Sequence, residues 1–383
     1  MSNLTNSDIA ELVAFRRQLH QRPELSGEEV ETAKAVVAFL SGTRPDNVVE
    51  GLGGTGVATI YEGDDPGPTV MLRAELDGLP IEELSGVAHI SKEPGKGHLC
   101  GHDGHAAILC AVGRMLGRNR PRRGRVVLLF QPAEETGQGA AAVLDDAGFQ
   151  ALRPDYAFSL HNLPGVPFGQ TELKAGPANC ASRGMRVHFE GRTAHASMPE
   201  TGESPVPAMA RLMRELPDLG TGGALEPGYR LVTLTHVRSG EEAFGIAPGE
   251  GVLLATLRTL QDKDMSALCS EAEALVQAAA KDAGVTFEIS YHDVFHACEN
   301  HPEAADILAR AMETAGVSCD PDMGPMRWSE DFGRFAAVSK SAMFILGSGE
   351  THPQLHNPDY DFPDDLIPVG AAVFHAALRD VLG

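Results

Sequence analysis

The stretch Arg125-Val126-Val127-Leu128-Leu129-Phe130, followed at once by Gln131-Pro132-Ala133-Glu134-Glu135, decides how the chain is read. Five apolar residues in a row after Arg125 leave no polar face, the pattern of a strand covered on both sides. Two acids stand just beyond it. In open α/β sheets, ligands bind in the crevice outside the carboxyl ends of the strands. Glu134 and Glu135 therefore occupy a place where a site is expected.

Working outward, residues 57–61, 69–74 and 156–160 are short runs of β-branched and apolar residues bounded by Gly, Asp and Pro, and read as strands. Asp77 follows the second of them and His161 the third. Helical patterns at 7–20, 28–40, 106–116 and 139–146 alternate with the strands. Near Gly176-Pro177 the character changes to strand 184–189, helix 205–216, strands 230–237 and 251–260, helix 265–283 and strand 285–291. That β-α-β-β-α-β order is the ferredoxin-like motif. The α/β pattern then resumes with a helix at 302–315, a strand at 342–346 and a helix at 364–382, and His356 lies in the loop between the last two. The reading is a mixed, mostly parallel sheet flanked by helices, in residues 1–178 and 296–383. An α+β satellite is inserted at 179–295.

Length and composition set the bounds. A chain of 383 residues has room for two cores. No apolar run reaches the roughly 18 residues of a membrane span, and residues 7–20 form an amphipathic pattern, not a signal peptide, so the cytoplasm is expected. The six cysteines show no CxxC pair, which argues against a disulfide framework or zinc ribbon. A formal charge of −22 disfavours nucleic acid as a partner. The glycines of 51–56 fit G-x-G-x-x-G, but a strand rather than a helix follows them, so they read as a turn.

One cluster stands out chemically. Leu99-Cys100-Gly101-His102-Asp103-Gly104-His105 offers a thiol, two imidazoles and a carboxylate, donors suited to zinc-like ions. It is too short to close a metal site alone. Each segment also has a plainer reading: His161 and His356 as loop histidines, Glu134-Glu135 as a solvated turn, Asp103 as a helix N-cap. Convergence on one sheet edge is the argument against those readings.

The ordered series Arg73-Ala74-Glu75-Leu76-Asp77-Gly78, Cys100-Gly101-His102-Asp103-Gly104-His105, Gln131-Pro132-Ala133-Glu134-Glu135, His161-Asn162-Leu163-Pro164, Ser329-Glu330-Asp331-Phe332 and Leu355-His356-Asn357-Pro358 resembles the M20 family of metallopeptidases. Within it, the resemblance is to the amidohydrolase branch of aminoacylases, hippurate hydrolases and auxin-conjugate hydrolases. It implies two divalent metal ions per subunit (zinc, manganese, cobalt or nickel) held by Cys100, His102, Glu135, His161 and His356. Glu134 is implied as general base for a metal-activated water, and Asp77 as the acid orienting a ligand. The segment Gly191-Arg192-Thr193-Ala194-His195 resembles the satellite motif whose histidine reaches an active site, in several relatives that of the other subunit. A homodimer through the inserted domain, or a higher oligomer, is implied with it. The expected substrate is a small N-acyl amino acid or similar conjugate, cleaved at its amide. The alternatives are a dipeptidase or aminopeptidase on the same scaffold, or a non-catalytic binding relative. Glu75, Gly245 and Ala255 depart from the family's usual Asp, Asn and Gly; the last two bear on substrate preference.

Overall fold

The apolar run at 125–130 is the middle of a strand, Arg123–Gln131, whose last six residues are buried. The computed structural model describes residues 4–322 and 324–383. The chain forms two compact units, Met1–Ala178 with Cys298–Gly324 and Asp331–Gly383, and Asn179–Ala297 with Pro325–Glu330.

In chain order the first unit opens with α1 (Asn6–His20), α2 (Val30–Ser41), β1 (Asn47–Leu52), β2 (Gly56–Glu62) and β3 (Asp65–Glu75). It continues through α3 (His102–Arg118), β4 (Arg123–Gln131), α4 (Gly139–Asp145) and β5 (Tyr156–Pro164). The second unit holds β6 (Ala181–Glu190), α5 (Val206–Asp218), β7 (Arg230–Ser239), β8 (Glu250–Thr259), α6 (Asp262–Ala283) and β9 (Thr286–Phe295). The chain then returns to the first unit with α7 (Pro302–Ala315), β10 (Lys340–Gly349) and α8 (Leu366–Leu382).

The large sheet runs β1-β2-β4-β3-β5-β10, with short strands Thr171–Glu172 and Cys319–Asp320 beyond β10. Its centre, β4-β3-β5-β10, is parallel, and β1 and β2 add antiparallel to the edge. Burial on both faces explains the uninterrupted apolar runs: Leu128, Phe158 and Phe344 share one core with Ile108 of α3 and Phe374 of α8. The glycines at 51–56 form the hairpin turn between β1 and β2, where Leu52 pairs with Gly56.

Two local readings are corrected. His161 lies within β5 rather than after it, because pairing with β10 continues through Ile345↔His161 and Leu346↔Asn162. Helix α3 starts at His102, four residues before the apolar periodicity begins, and its N-cap is Gly101, not Asp103. Gly101 has φ +91°, and a Cβ there would collide with the side chains of Asn162 and Tyr360, so glycine is required on both counts.

Asp103 instead points into a buried ion cluster that ties α1 to the start of α3. Arg16, fully buried, reaches Asp103 at 3.2 Å, Asp361 at 2.5 Å and Asp364 at 2.8 Å. His20 spans Asp103 at 2.9 Å and Glu83 at 3.0 Å.

In the second unit, β7-β8-β6-β9 form an antiparallel sheet in the ferredoxin-like order. Met185, Val187, Phe189, Leu253 and Leu257 alternate onto the face covered by α5 and α6, where they meet Leu212, Leu268 and Val276. Arg186, His188, Val252 and Leu254 point to the other face by the same period of two.

The ion cluster gives the fold a pH signature. Burial pulls the pKa of His20 down, but the charge of Asp103 and hydrogen bonds to Asp103 and Glu83 outweigh it and hold it up at about 9. A raised folded pKa contributes stability that is complete below the unfolded value of 6.5 and lost as pH climbs through about 9. Urea midpoints measured from pH 6 to 10 are expected to fall across that window, and to fall less steeply in His20→Gln.

Candidate metal centre

Three strand ends and two loops bring the acids and imidazoles of the first unit together. β3 delivers Asp77 and β4 delivers Glu134 and Glu135, while His161 comes from within β5. The turn before Glu134 holds Ala133 at φ +51°, a left-handed conformation that a non-glycine residue adopts at a cost of about 1–3 kcal/mol. Buried Glu29 stabilises that turn by accepting the Ala133 N–H at 2.8 Å, together with the Thr55 hydroxyl at 2.6 Å. His356, also left-handed at φ +65°, is tied to the cysteine loop by its own N–H, which donates to Leu99 O at 2.8 Å.

Three overlapping groups have ligand atoms within 4.8 Å of one another: Cys100, His102 and His161; Cys100, Glu135 and His356; and His102, Glu134 and Glu135. Cys100 Sγ lies 3.5 Å from His161 Nε2. Glu135 Oε1 is 3.6 Å from His356 Nε2 and 3.9 Å from His102 Nε2, which is also 3.9 Å from Glu134 Oε2.

Neighbouring groups turn the imidazoles so that Nε2 faces this centre. His102 donates through Nδ1 to the Asp77 backbone carbonyl at 2.9 Å, with the Asp77 carboxylate oxygen Oδ1 3.3 Å from the same nitrogen, and His161 donates through Nδ1 to the Asn162 carbonyl at 2.7 Å. Fixing the far nitrogen selects the tautomer whose Nε2 lone pair is free to ligate. Asp77 itself is held by the Ser26 hydroxyl at 2.7 Å and the Glu135 N–H at 3.0 Å. Asn162 donates its amide to Cys100 O at 2.7 Å and to His105 Nε2 at 3.0 Å. His105 in turn donates to Glu75 at 2.7 Å, and Asp103 turns to His20 at 2.9 Å, so each is engaged by a neighbour beside the cluster.

The donor set fits a cation. His102 Nε2 is buried without a hydrogen-bond partner, an atom that needs an electron-pair acceptor. Burial alone would lower the pKa of His102, yet the hydrogen bond to Asp77 and the charges of Glu75, Asp77 and Glu135 raise it to about 10. The pocket demands positive charge, and a divalent ion supplies it without the proton. The Cys100 thiol is pushed well up by burial and by the Glu135 and Glu134 carboxylates, a penalty that a bound cation reverses. Burial and the neighbouring His105 hold His161 neutral, as a ligand must be.

Comparison with known proteins places the chain in a family. The description Peptidase family M20/M25/M40 matches residues 71–380. Hippurate hydrolase of Campylobacter jejuni is 30% identical, over 96% of this chain and 95% of its own. The chain belongs to peptidase family M20/M25/M40. N-acetyl-L-cysteine deacetylase of Bacillus subtilis is 29% identical to this M20 hydrolase, over 96% of this chain and 87% of its own. The crystal structure of the Bacillus subtilis YXEP protein, described as a dinuclear metal binding peptidase from the M20 family, shares the fold. Its TM-score is 0.83 at 24% identity, covering 99% of each chain.

His195 stands in the second unit of the M20 protein. It is exposed on a two-stranded ribbon, Ala194–His195 against Ile246–Ala247, and its Nδ1 accepts from the Ser197 hydroxyl at 2.7 Å. Glu29, Ser26 and Asn162 were not picked out as functional by sequence. Glu29 looks like an acid preceding a helix, and only its long-range partners Ala133 and Thr55 reveal its task.

Loss of an acid that orients an imidazole ligand typically costs about 10–100-fold in metal affinity. Asp77→Ala is expected to weaken divalent-ion binding by that factor in a chelator competition, with little change in far-UV circular dichroism.

Proposed function

We propose that this M20 hydrolase is a metal-dependent amidohydrolase that cleaves the amide of N-acyl amino acids or similar small conjugates. The observation that carries the reading is the meeting of Cys100, His102, Glu135, His161 and His356 in overlapping triads, with Glu134 beside them. Those five side chains would hold two divalent ions, and the thiol among them favours a borderline-soft ion such as zinc over magnesium or calcium. When bound, the ions supply Lewis-acid polarisation of a carbonyl and acidification of water.

The residues of the chain do the rest. Glu134 is 5% exposed and its Oε2 lies 3.9 Å from His102 Nε2, at the rim of the donor cluster. There it takes a proton from water as the new C–O bond forms and delivers it to the amide nitrogen as the C–N bond breaks. The products are a carboxylate and a free amine. Asp77 keeps His102 in its ligating tautomer, and the Asp331 N–H, 3.4 Å from Glu134 Oε1, helps to aim the base. His195, free to donate through Nε2 while Ser197 occupies Nδ1, is proposed to stabilise the developing oxyanion, from a partner copy in a homodimer. The two relatives named hippurate hydrolase and N-acetyl-L-cysteine deacetylase support N-acyl amino acids as the substrate class.

Glu134→Gln is expected to retain its metals by elemental analysis and to lose about 10²–10⁴-fold in kcat/KM, the range for a positioned acid–base group. Assayed with zinc, manganese, cobalt or nickel, the wild type should hydrolyse N-acetyl or N-benzoyl amino acids faster than dipeptides. Turnover confined to dipeptides would sink the substrate assignment, and undiminished Glu134→Gln the base.

A further inference from the structure

The helix-free face of the second unit's sheet is not flat. It carries a hollow of about 490 Å³ lined by Gly184 and Arg186 of β6, His236 and Arg238 of β7, Val252, Leu254 and Thr256 of β8, and His292 and Asp293 of β9. Strand register explains the layout. Arg186, Leu254 and His236 form one cross-strand row, and His292, Gly184 and Thr256 form the next. Arg238 pairs with Val252 in the row on the other side of Arg186. Gly184 deepens the floor: a Cβ there would stand 3.2 Å from the His292 carbonyl oxygen and fill the space.

The hollow carries charge of its own. The chain has 53 acidic and 31 basic residues, and several of its arginines are met by acids: Arg16 by Asp103, Arg73 by Asp331, Arg211 by Asp282, Arg230 by Glu271, Arg310 by Asp380. Arg186 and Arg238 have no hydrogen-bond or ion-pair partner among the described residues. With Asp293 they leave the lining with one net permanent positive charge over a floor of valine, leucine and threonine. Asp293 is held at φ +48° where the register of β9 shifts between His292 and Phe295, a strained conformation of the kind found at ligand clamps.

We propose that this hollow binds a small amphipathic carboxylate, one anionic group against the guanidinium of Arg186 or Arg238 and an apolar body over Val252 and Leu254. One carboxylate neutralises the lining. The guanidinium fork matches its two oxygens, and the Thr256 hydroxyl adds a donor at the floor. A volume near 490 Å³ suits a ligand of modest size. This site belongs to the second unit alone and is independent of the amide-cleaving reaction proposed above.

Titration calorimetry on the metal-loaded full-length protein tests it, with 3-phenylpropanoate as the probe and neutral 3-phenylpropanamide as its control. Saturable binding of the acid is expected, with the amide at least about tenfold weaker, since a charge-assisted bond is worth about that factor. Arg186→Gln and Arg238→Gln should each weaken the acid several-fold, and the double variant should remove it, with the thermal midpoint unchanged. Ring-proton resonances of His236 and His292 should shift with the same saturation curve. Equal affinity for acid and amide would overturn the proposal. So would binding that survives in the double variant, the signature of occupancy at the metal centre only.

Discussion

Carboxylates taken out of water must be met by positive charge, and that constraint organises the first unit. Glu75, Asp77, Asp103, Glu134 and Asp331 are all 5% exposed or less. Leaving any of them uncompensated in a medium of low dielectric costs several kcal/mol or moves its proton. Two of the answers are permanent. Arg73, itself buried, serves both Glu75 and Asp331, and Arg16 with His20 serves Asp103. The carboxylates around His102 hold the pKa of that imidazole up at about 10, against the pull of burial. Fixed cations thus stand behind the centre, and the imidazoles of His102 and His356 face the carboxylates of Glu134 and Glu135 within it.

That division accounts for residues that look alike in sequence and differ in task. His102 and His105 sit three apart at the start of α3, yet only His102 has a free nitrogen toward the donor cluster, because Asn162 and Glu75 occupy both nitrogens of His105. Asp103, between them on the helix, points to the opposite side and meets α1. A helix places consecutive residues about 100° apart, so three neighbours reach three environments. Adjacent Glu134 and Glu135 separate in the same way: Glu135 reaches His356 and Glu134 accepts from Asp331 N–H.

Legibility in the sequence follows the range of the interactions. β4 was readable because burial on both faces makes it uniformly apolar over residues 126–130, and β3 and β5 for the same reason. The β-α-β-β-α-β order of the second unit was readable because alternation and helical period are local signals. The start of α3 was not, because His102, Asp103 and His105 are polar side chains buried by partners 25 to 83 residues away. β1 was missed because its residues are largely exposed at the sheet edge and carry no apolar signature. Arg16 and His20 read as the polar side of an amphipathic helix. Only the folded chain, which brings Asp361 and Asp364 beside them, shows that this side is an interior one.

The backbone, rather than the donor side chains, sets the stiffness of the centre. Glu135 is anchored through its own N–H to Asp77, and His356 through its own N–H to Leu99 O. Cys100 is anchored through its carbonyl to the Asn162 amide. Each anchor joins a donor to a different segment, and two of the non-glycine residues with left-handed backbone, Ala133 and His356, fall at or beside these joints. Such conformations persist only where the surroundings over-determine them. Glu29 at Ala133 and Leu99 at His356 provide that over-determination. The donor side chains are therefore held in place by hydrogen bonds between distant segments of the chain's own backbone and side chains.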